Sequence, residues 1–311
     1  MTKISVIAPV YNEKESVKEL HDRLVSVLKK LGCPYEIIFV DDGSTDAAFR
    51  EIKNLSPIVA ICLKRNYGQT AALAAGIDAA DGDIIVTIDA DLENQPEDIP
   101  SLLEKMKEGF DVVSGWRRDR WKGQTFMRRS PSKIANWLIS WVTKTKLHDH
   151  GCTLKAYKAD ALKQFNLYGD MHRMIAAYAG LAGAKVAEVP VGHVFRKYGK
   201  SKYGIWRTFR VLLDLIVVKF FAKYSNRPMH FFGGAGFFSF LFGFLTFLLM
   251  LYFKYFGGKD FIQTPLPVLA AFFVLAGIQF ILMGLLAEVL MRLRYESQKR
   301  KIYIVAEKIS N

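Results

Sequence analysis

The chain has 311 residues, 51% of them hydrophobic, with a mean hydropathy of +0.12 and a formal net charge of +13. That length accommodates two domains and a sizeable core, and the hydropathy is high for a purely soluble protein. Three cysteines (Cys33, Cys62 and Cys152), odd in number and without CxxC spacing, exclude a disulfide scaffold and a cysteine zinc site and suit a reducing cytosol.

The opening MTKISVIAPVYNEK has too short an apolar stretch, and no cleavage site, for a secretory signal. Within it SVIAPV (5–10) reads as a strand. Glu13 to Leu31 then reads as an amphipathic helix, with Val17, Leu20, Leu24, Leu28 and Leu31 on one stripe. EIIFV (36–40) is a wholly apolar strand that stops at Asp41-Asp42-Gly43-Ser44, and VAICL (59–63) is a third strand. GQTAALAAGIDAA (68–80) is a small-residue helix, and DIIVTI (83–88) a fourth strand that runs into Asp89, Asp91 and Glu93. Helices alternating with short apolar strands predict an α/β fold whose mostly parallel sheet is covered on both faces. Ligands of such sheets gather beyond the carboxyl ends of the strands, where both acidic clusters fall.

In an extended chain Asp89, Asp91 and Glu93 share one face. Carboxylates so crowded repel one another unless a cation sits among them. An all-oxygen set suits Mg²⁺ or Mn²⁺, which bridges one or two carboxylates to substrate phosphates and stabilises charge on a departing diphosphate. Asp41 and Asp42 offer acceptors for ribose hydroxyls or a base, whereas Asp46 and Asp98 read as helix caps. Other cofactor signatures fail. No GxGxxG follows a strand, Gly199-Lys200-Ser201 lacks the first glycine of a P-loop, and HExxH and GxSxG are absent. The HDH at His148 to His150 lacks further ligands at metal spacing.

From Trp116 to Lys146 there are nine Lys or Arg and one acid, Asp119, together with Trp116, Trp121, Trp137 and Trp141. Beside apolar spans this points to anionic headgroups or a lipid phosphate and not to nucleic acid. Ile205 to Tyr224 carries Trp206, Phe209, Leu213, Ile216 and Phe220 on one stripe beside Arg207, Arg210 and Lys219. It reads as a helix in the membrane interface or one packed on the sheet domain. Two uncharged runs of 23 residues follow, Phe231–Phe253 and Pro265–Ala287. Each is long enough to cross a hydrocarbon core of about 30 Å. The eleven-residue linker KYFGGKDFIQT makes them a hairpin, and Arg227 before it with Arg292, Arg294, Lys299, Arg300 and Lys301 after it assigns both flanks to the cytoplasm. Gly233, Gly234 and Gly236 would let spans pack closely, within a chain or between chains of a homo-oligomer.

PVYNE (9–13), DDGS (41–44), RNYGQ (65–69) and DADLENQPE (89–97) together resemble the family 2 glycosyltransferases and their GT-A nucleotide-sugar-binding fold. DHGCTLKAY (149–157) and RKYGKSKYG (196–204), followed by the hairpin, narrow the resemblance to the membrane-bound polyprenyl-phosphate glycosyltransferases, the group of the bactoprenol and undecaprenyl-phosphate sugar transferases. The resemblance spans nearly the whole chain. It implies that Pro9, Tyr11, Glu13, Asp41, Asp42, Asn66 and Asp89 bind the nucleotide-sugar, with Asp89, Asp91 and Glu93 on the metal. Position 93 is often Gln in the family, so Glu93 departs from the pattern. Asp149 occupies the candidate catalytic position. The implied reaction is direct displacement at the anomeric carbon, with inversion. A phosphate acceptor is already ionised near neutral pH, so Asp149 orients it more than it deprotonates it. The acceptor phosphate needs cations, for which Arg117, Arg128, Arg129, Arg196 and Lys202 are candidates, with Ser201 as a hydrogen-bond donor.

The expected organisation is a cytosolic domain (1–200), a juxtamembrane amphipathic region (201–228), two spans (229–291, about 231–253 and 265–289) and a basic cytoplasmic tail (292–311). The expected place is a bacterial inner membrane, with both termini cytoplasmic. RNYGQ and DHGC lean towards undecaprenyl phosphate as acceptor, and UDP-glucose is the first donor to try, with GDP-mannose and UDP-linked modified sugars as the alternatives. A processive polysaccharide synthase shares the early motifs but carries QxxRW, to which only Arg117-Arg118-Asp119-Arg120-Trp121 compares. A membrane-tethered, non-catalytic nucleotide-sugar-binding protein is the alternative from another class, and intact Asp89, Asp91 and Asp149 oppose it. Two spans without intramembrane charge make no pathway for a flippase or channel.

Overall fold

The computed structural model describes residues 2–118, 140, 145, 147–164, 172, 174–194, 228–296 and 302–311. The chain divides into two compact units, Met1–Ile216 with Lys301–Asn311, and Val217–Arg300.

In the first unit the alternation read from the sequence is present. β1 (Ile4–Val10), α1 (Lys14–Leu31), β2 (Tyr35–Asp41), α2 (Ala48–Lys53), β3 (Val59–Leu63), α3 (Gln69–Ala79) and β4 (Ile84–Thr87) follow in order. α4 (Ile99–Lys107), β5 (Val112–Trp116), β6 (Lys155–Lys158), α5 (Ala159–Lys163), α6 (Ile175–Leu181) and β7 (Val186–Pro190) come next, and β8 (Val305–Ser310) last. These strands make one sheet in the order β7-β5-β6-β4-β1-β2-β3-β8. β3, β2, β1 and β4 are mutually parallel; β6 runs antiparallel between β4 and β5. Strand order reverses at β1, from which β2 and β3 build one way and β4 the other. That switch point opens a crevice at the carboxyl ends of β1 and β4.

Alternation along each strand builds two cores. Ile4, Val6, Ala8 and Val10 of β1 face the cluster with Val17, Leu20 and Leu24 of α1 and Leu102 and Met106 of α4. Ile7, with Ile38 and Val40 of β2, faces the opposite cluster, with Ala71, Ala72, Ala75 and Ile77 of α3 and Ile175 of α6. The small residues of α3 let it lie close to the sheet: a Cβ on Gly76 would fall 2.4 Å from Ile7 Cγ2.

Two expectations are corrected here. Residues 292–311 are not a free basic tail throughout, because Val305–Ser310 pairs antiparallel with β3 as the edge strand. Tyr303 is buried beside it, and its hydroxyl donates to Asp78 Oδ2 at 2.7 Å, while Glu307 pairs with Lys53 at 2.7 Å. The side chain of Asp98 does not cap α4; its Oδ2 accepts the Gly192 N–H at 2.8 Å. Asp46 does serve the start of α2, accepting the Ala48 N–H at 3.0 Å.

The second unit contains α7 (Pro228–Tyr255) and α8 (Leu266–Glu296). Met229–Tyr255 and Leu266–Ala287 are long and apolar enough to cross a membrane. Phe237, Phe244, Phe272 and Leu275 are each about three-fifths exposed, a surface that water does not favour. The two helices pack through small residues. A Cβ on Gly236 would meet Gly277 O at 3.1 Å, and the Ser239 hydroxyl donates to Phe273 O at 2.8 Å. Gly234 has nothing within 4 Å of its Cβ position, so only Gly236 of the three glycines touches the neighbouring helix.

Candidate active site

β4 stops at Thr87, before the acids. Leu92 adopts φ +61°, a left-handed conformation that β-carbon sterics disfavour, and Asp91 Oδ1 accepts the Glu93 N–H at 3.0 Å. The three acids therefore lie along a turn instead of an extended strand. Alternation does not set their common face, and this corrects the argument that grouped Glu93 with the other two. Glu93 is half-buried, and its backbone carbonyl accepts the Val194 N–H at 3.2 Å. Among the described residues no three of His, Cys, Asp and Glu converge on a metal site by themselves.

The donor chemistry of the turn nonetheless fits a hard cation. Asp89 is pushed up to about 7, first by burial and then by the neighbouring charge of Asp91, with Glu93 adding to it. Like charges of this kind would be relieved by a divalent ion held by Asp89 and Asp91. Asp89 Oδ1 also accepts from Gln69 Nε2 at 2.7 Å. Gln69 opens α3, whereas Asn66, the residue of the RNYGQ stretch to which the sequence points, is exposed.

At the end of β2, Asp41 and Asp42 are both buried. Asp42 accepts the N–H groups of Tyr67 at 2.8 Å and Gly68 at 2.9 Å, one on each oxygen. Burial raises its pKa in spite of those bonds. Asp42 thus anchors the RNYGQ loop and keeps further lone pairs for a ligand. Asp41 accepts the Ser44 N–H at 3.3 Å and the Cys62 thiol at 3.5 Å, and burial beside that carboxylate pushes Cys62 up to about 11. Gly43 between the loops has φ +68°, and a Cβ there would lie 2.5 Å from the Arg65 carbonyl carbon. Asn12 ties the first loop to this one, receiving the Thr45 N–H on Oδ1 at 2.8 Å and donating its own N–H to Ser44 Oγ at 2.9 Å. Pro9 lines a small cavity with Thr87, Asp89, Thr153, Lys155 and His172, and Tyr11 and Glu13 are half-buried beyond β1.

Two residues expected in separate roles meet directly. Arg117, just past β5, donates from Nε to Asp149 Oδ2 at 2.8 Å and from Nη2 to Asp149 Oδ1 at 3.2 Å. Both side chains are buried, and the carboxylates of Asp149 and Asp89 hold the guanidinium firmly protonated against its desolvation. A bidentate pair of this kind fixes both groups in orientation. His148 stacks on Trp116 with centroids 4.4 Å apart and pairs with Glu188. His150 contacts the Ser140 hydroxyl at 2.9 Å, and burial lowers it to about 4. Asn94 and Thr153, which the sequence did not single out, join the acidic turn to the Asp149 loop at 2.9 Å. Arg128, Arg129, Arg196, Ser201 and Lys202, and the amphipathic stretch 205–224, lie outside the described residues.

The sequence pattern described as Glycosyl transferase family 2 matches residues 5–165. A dodecaprenyl-phosphate galacturonate synthase of Rhizobium johnstonii is 41% identical over 98% of this chain and 92% of its own length. The chain belongs to glycosyl transferase family 2. An undecaprenyl-phosphate 4-deoxy-4-formamido-L-arabinose transferase of Edwardsiella ictaluri is 34% identical over 97% of this chain and 93% of its own. Among solved structures, glucosyl-3-phosphoglycerate synthase from Mycobacterium tuberculosis, with Mn²⁺ and UDP-glucose, has a TM-score of 0.55 at 19% identity, covering 70% of this chain and 79% of that one. The same enzyme with phosphoglyceric acid gives 0.56 at 18%, over 70% and 80%. At that identity the likeness establishes the GT-A-like fold of this family 2 glycosyltransferase.

Proposed function

We propose that this glycosyltransferase moves one sugar from a nucleotide-sugar to a polyprenyl phosphate at the cytoplasmic membrane face. The observation that carries the reading is one buried constellation. Asp89 and Asp91 sit at the switch point, and the Arg117–Asp149 pair is close enough for Arg117 to act on Asp89. Acids for a metal-bound diphosphate and a guanidinium suited to phosphate thus share a site, in a chain coextensive with polyprenyl-phosphate sugar transferases.

Asp89 and Asp91 would hold a divalent ion, whose chemistry when bound is to stabilise the charge of the leaving diphosphate. Asp42 and Asn12 fix the loops that receive the nucleoside, and Gln69 orients Asp89. Asp149 holds Arg117 in place to meet the acceptor phosphate, whose ionised oxygen attacks the anomeric carbon with inversion. The basic residues outside the described regions, Arg128, Arg129, Arg196 and Lys202, with Ser201, would complete the phosphate site. The return of the chain from α8 to β8 supports a hairpin with both flanks on the side of the sheet domain, since leaving a sheet and rejoining it takes an even number of crossings. For the donor, a nucleotide-linked galacturonate is tried ahead of UDP-glucose, a choice supported by the 41% identity to a galacturonate synthase.

The test is transfer of radiolabelled sugar to undecaprenyl phosphate from a panel of UDP- and GDP-sugars that includes galacturonate, formamido-arabinose, glucose and mannose. Each is run with Mg²⁺, Mn²⁺ or EDTA, for wild type and Asp91→Asn. A single-sugar lipid that needs metal and vanishes in the variant is expected. Donor binding without any lipid product would instead indicate a tethered binding protein, and a growing polymer would indicate a synthase.

A further inference from the structure

Residues 302–311, which follow the second span in sequence, reach the donor half of the site. Asn311 and Ile58 exchange backbone hydrogen bonds at 3.0 and 3.2 Å, and β8 then pairs with β3 from Val59 to Leu63. The pairing continues past the strand, where Lys64 donates its N–H to the Ile304 carbonyl at 3.0 Å. Opposite Cys62 and Leu63 stand Glu307 and Val305, so Ala306 is an extra residue that forms a bulge. The bulge changes side-chain direction. Ile309 packs against the cluster of α1, whereas Tyr303, six residues earlier, is buried in the cluster that holds Leu63, Ala72 and Ile77. Even spacing would put both on one face of an unbroken strand, and the extra residue turns Tyr303 to the other. There its hydroxyl donates to Asp78 Oδ2 near the end of α3 at 2.7 Å.

These contacts bracket one loop. The tail holds Lys64 on one side and α3 on the other, and between them runs the RNYGQ stretch, with Arg65 and Asn66 exposed. The Tyr67 and Gly68 N–H groups bond Asp42, Gln69 bonds Asp89, and the Arg65 backbone lies against Gly43 of the neighbouring loop. A loop already held in the shape a ligand needs binds it more tightly, because less ordering is left to be done on binding. We propose that the tail, through Tyr303 and the bulge at Ala306, is a positioning element of the donor site that sets nucleotide affinity by holding residues 64–68. This rests on the nucleotide-sugar reading above.

The experiment titrates UDP and GDP in turn, with Mn²⁺, into full-length wild type, Tyr303→Ala, Tyr303→Phe and Ile309→Ala. Unfolding temperature is measured for each, and acceptor KM in the transfer assay above. Ile309→Ala loosens the same strand at its other end and on its other face, so it lowers stability without a change at the loop. For the nucleotide that wild type binds, the expected result is at least about tenfold weaker binding in Tyr303→Ala. Tyr303→Phe, which keeps the ring and loses the bond to Asp78, should bind at least about threefold more weakly. Acceptor KM should stay within threefold of wild type, and Ile309→Ala should bind nucleotide within twofold of wild type while melting lower. A smaller loss in Tyr303→Ala would overturn the inference, as would an equal loss in Ile309→Ala or an equal rise in acceptor KM. If Tyr303→Ala does not fold, Tyr303→Phe decides, and binding within threefold of wild type overturns it. A wild type that binds neither nucleotide fails at the earlier reading and takes the inference with it; a wild type that binds one, with variants that bind as well, fails only here.

Discussion

The Arg117–Asp149 pair offers the sharpest quantitative test of the site. Arg117→Met leaves Asp149 buried without its bidentate partner, and Asp149→Asn leaves the guanidinium without a counter-charge. The side chains are 5% and 10% exposed, so water can replace little of what is lost. Removing one member of such a pair costs roughly 3–5 kcal/mol. In a domain of this size that corresponds to a fall of about 10 °C in unfolding temperature. The double variant removes both charges together, so its cost should fall short of the summed single costs by about 2 kcal/mol. The assay is thermal unfolding of the three variants and wild type in detergent, followed by near-ultraviolet circular dichroism, with transfer activity measured in parallel. Single variants that melt within 3 °C of wild type, by the conversion above less than about 1 kcal/mol, would refute the reasoning, as would strictly additive losses. Activity should be lost in all three, because restored stability does not restore the phosphate site.

Asp42→Asn can accept on one oxygen only, which strands the N–H of Tyr67 or Gly68. A cost of about 1–3 kcal/mol and a several-fold rise in donor KM, with acceptor KM unchanged, is expected from steady-state kinetics. Gly43→Ala combines a left-handed backbone with a clash at 2.5 Å, so it should lose at least about 2 kcal/mol in a denaturant titration. Deleting 302–311 removes β8 and the Tyr303–Asp78 bond and uncovers the edge of β3; a lower unfolding temperature and self-association on size exclusion are expected. Because Asp89 in the metal-free protein ionises near 7, protons compete with a cation below that pH. Apparent Mn²⁺ affinity, read by titration, should therefore weaken by about tenfold from pH 8 to pH 6 and not above.

The sequence by itself determined the elements whose signal is local. The apolar runs of β1 to β4, the stripe of α1, the small residues of α3 and the two long uncharged runs each announce themselves within a few turns of chain. The same reading put Asp41 and Asp42 at the end of β2 and Asp89 and Asp91 just past β4, which is where the structure has them. Only the tertiary structure decided which groups answer one another. Asp149 and Arg117 are 32 positions apart, Gln69 and Asp89 are 20 apart, and β8 joins β3 across more than 240 residues. Partners so separated leave no periodicity to read. The same holds for Lys155, whose register neighbours Thr87 and Ser114 come from distant parts of the chain, and for Asp98, whose partner is Gly192 and not its own helix. The acidic turn shows the limit most directly. Spacing by two implies one face only while the chain stays extended, and Leu92 at φ +61° ends that condition between Asp91 and Glu93.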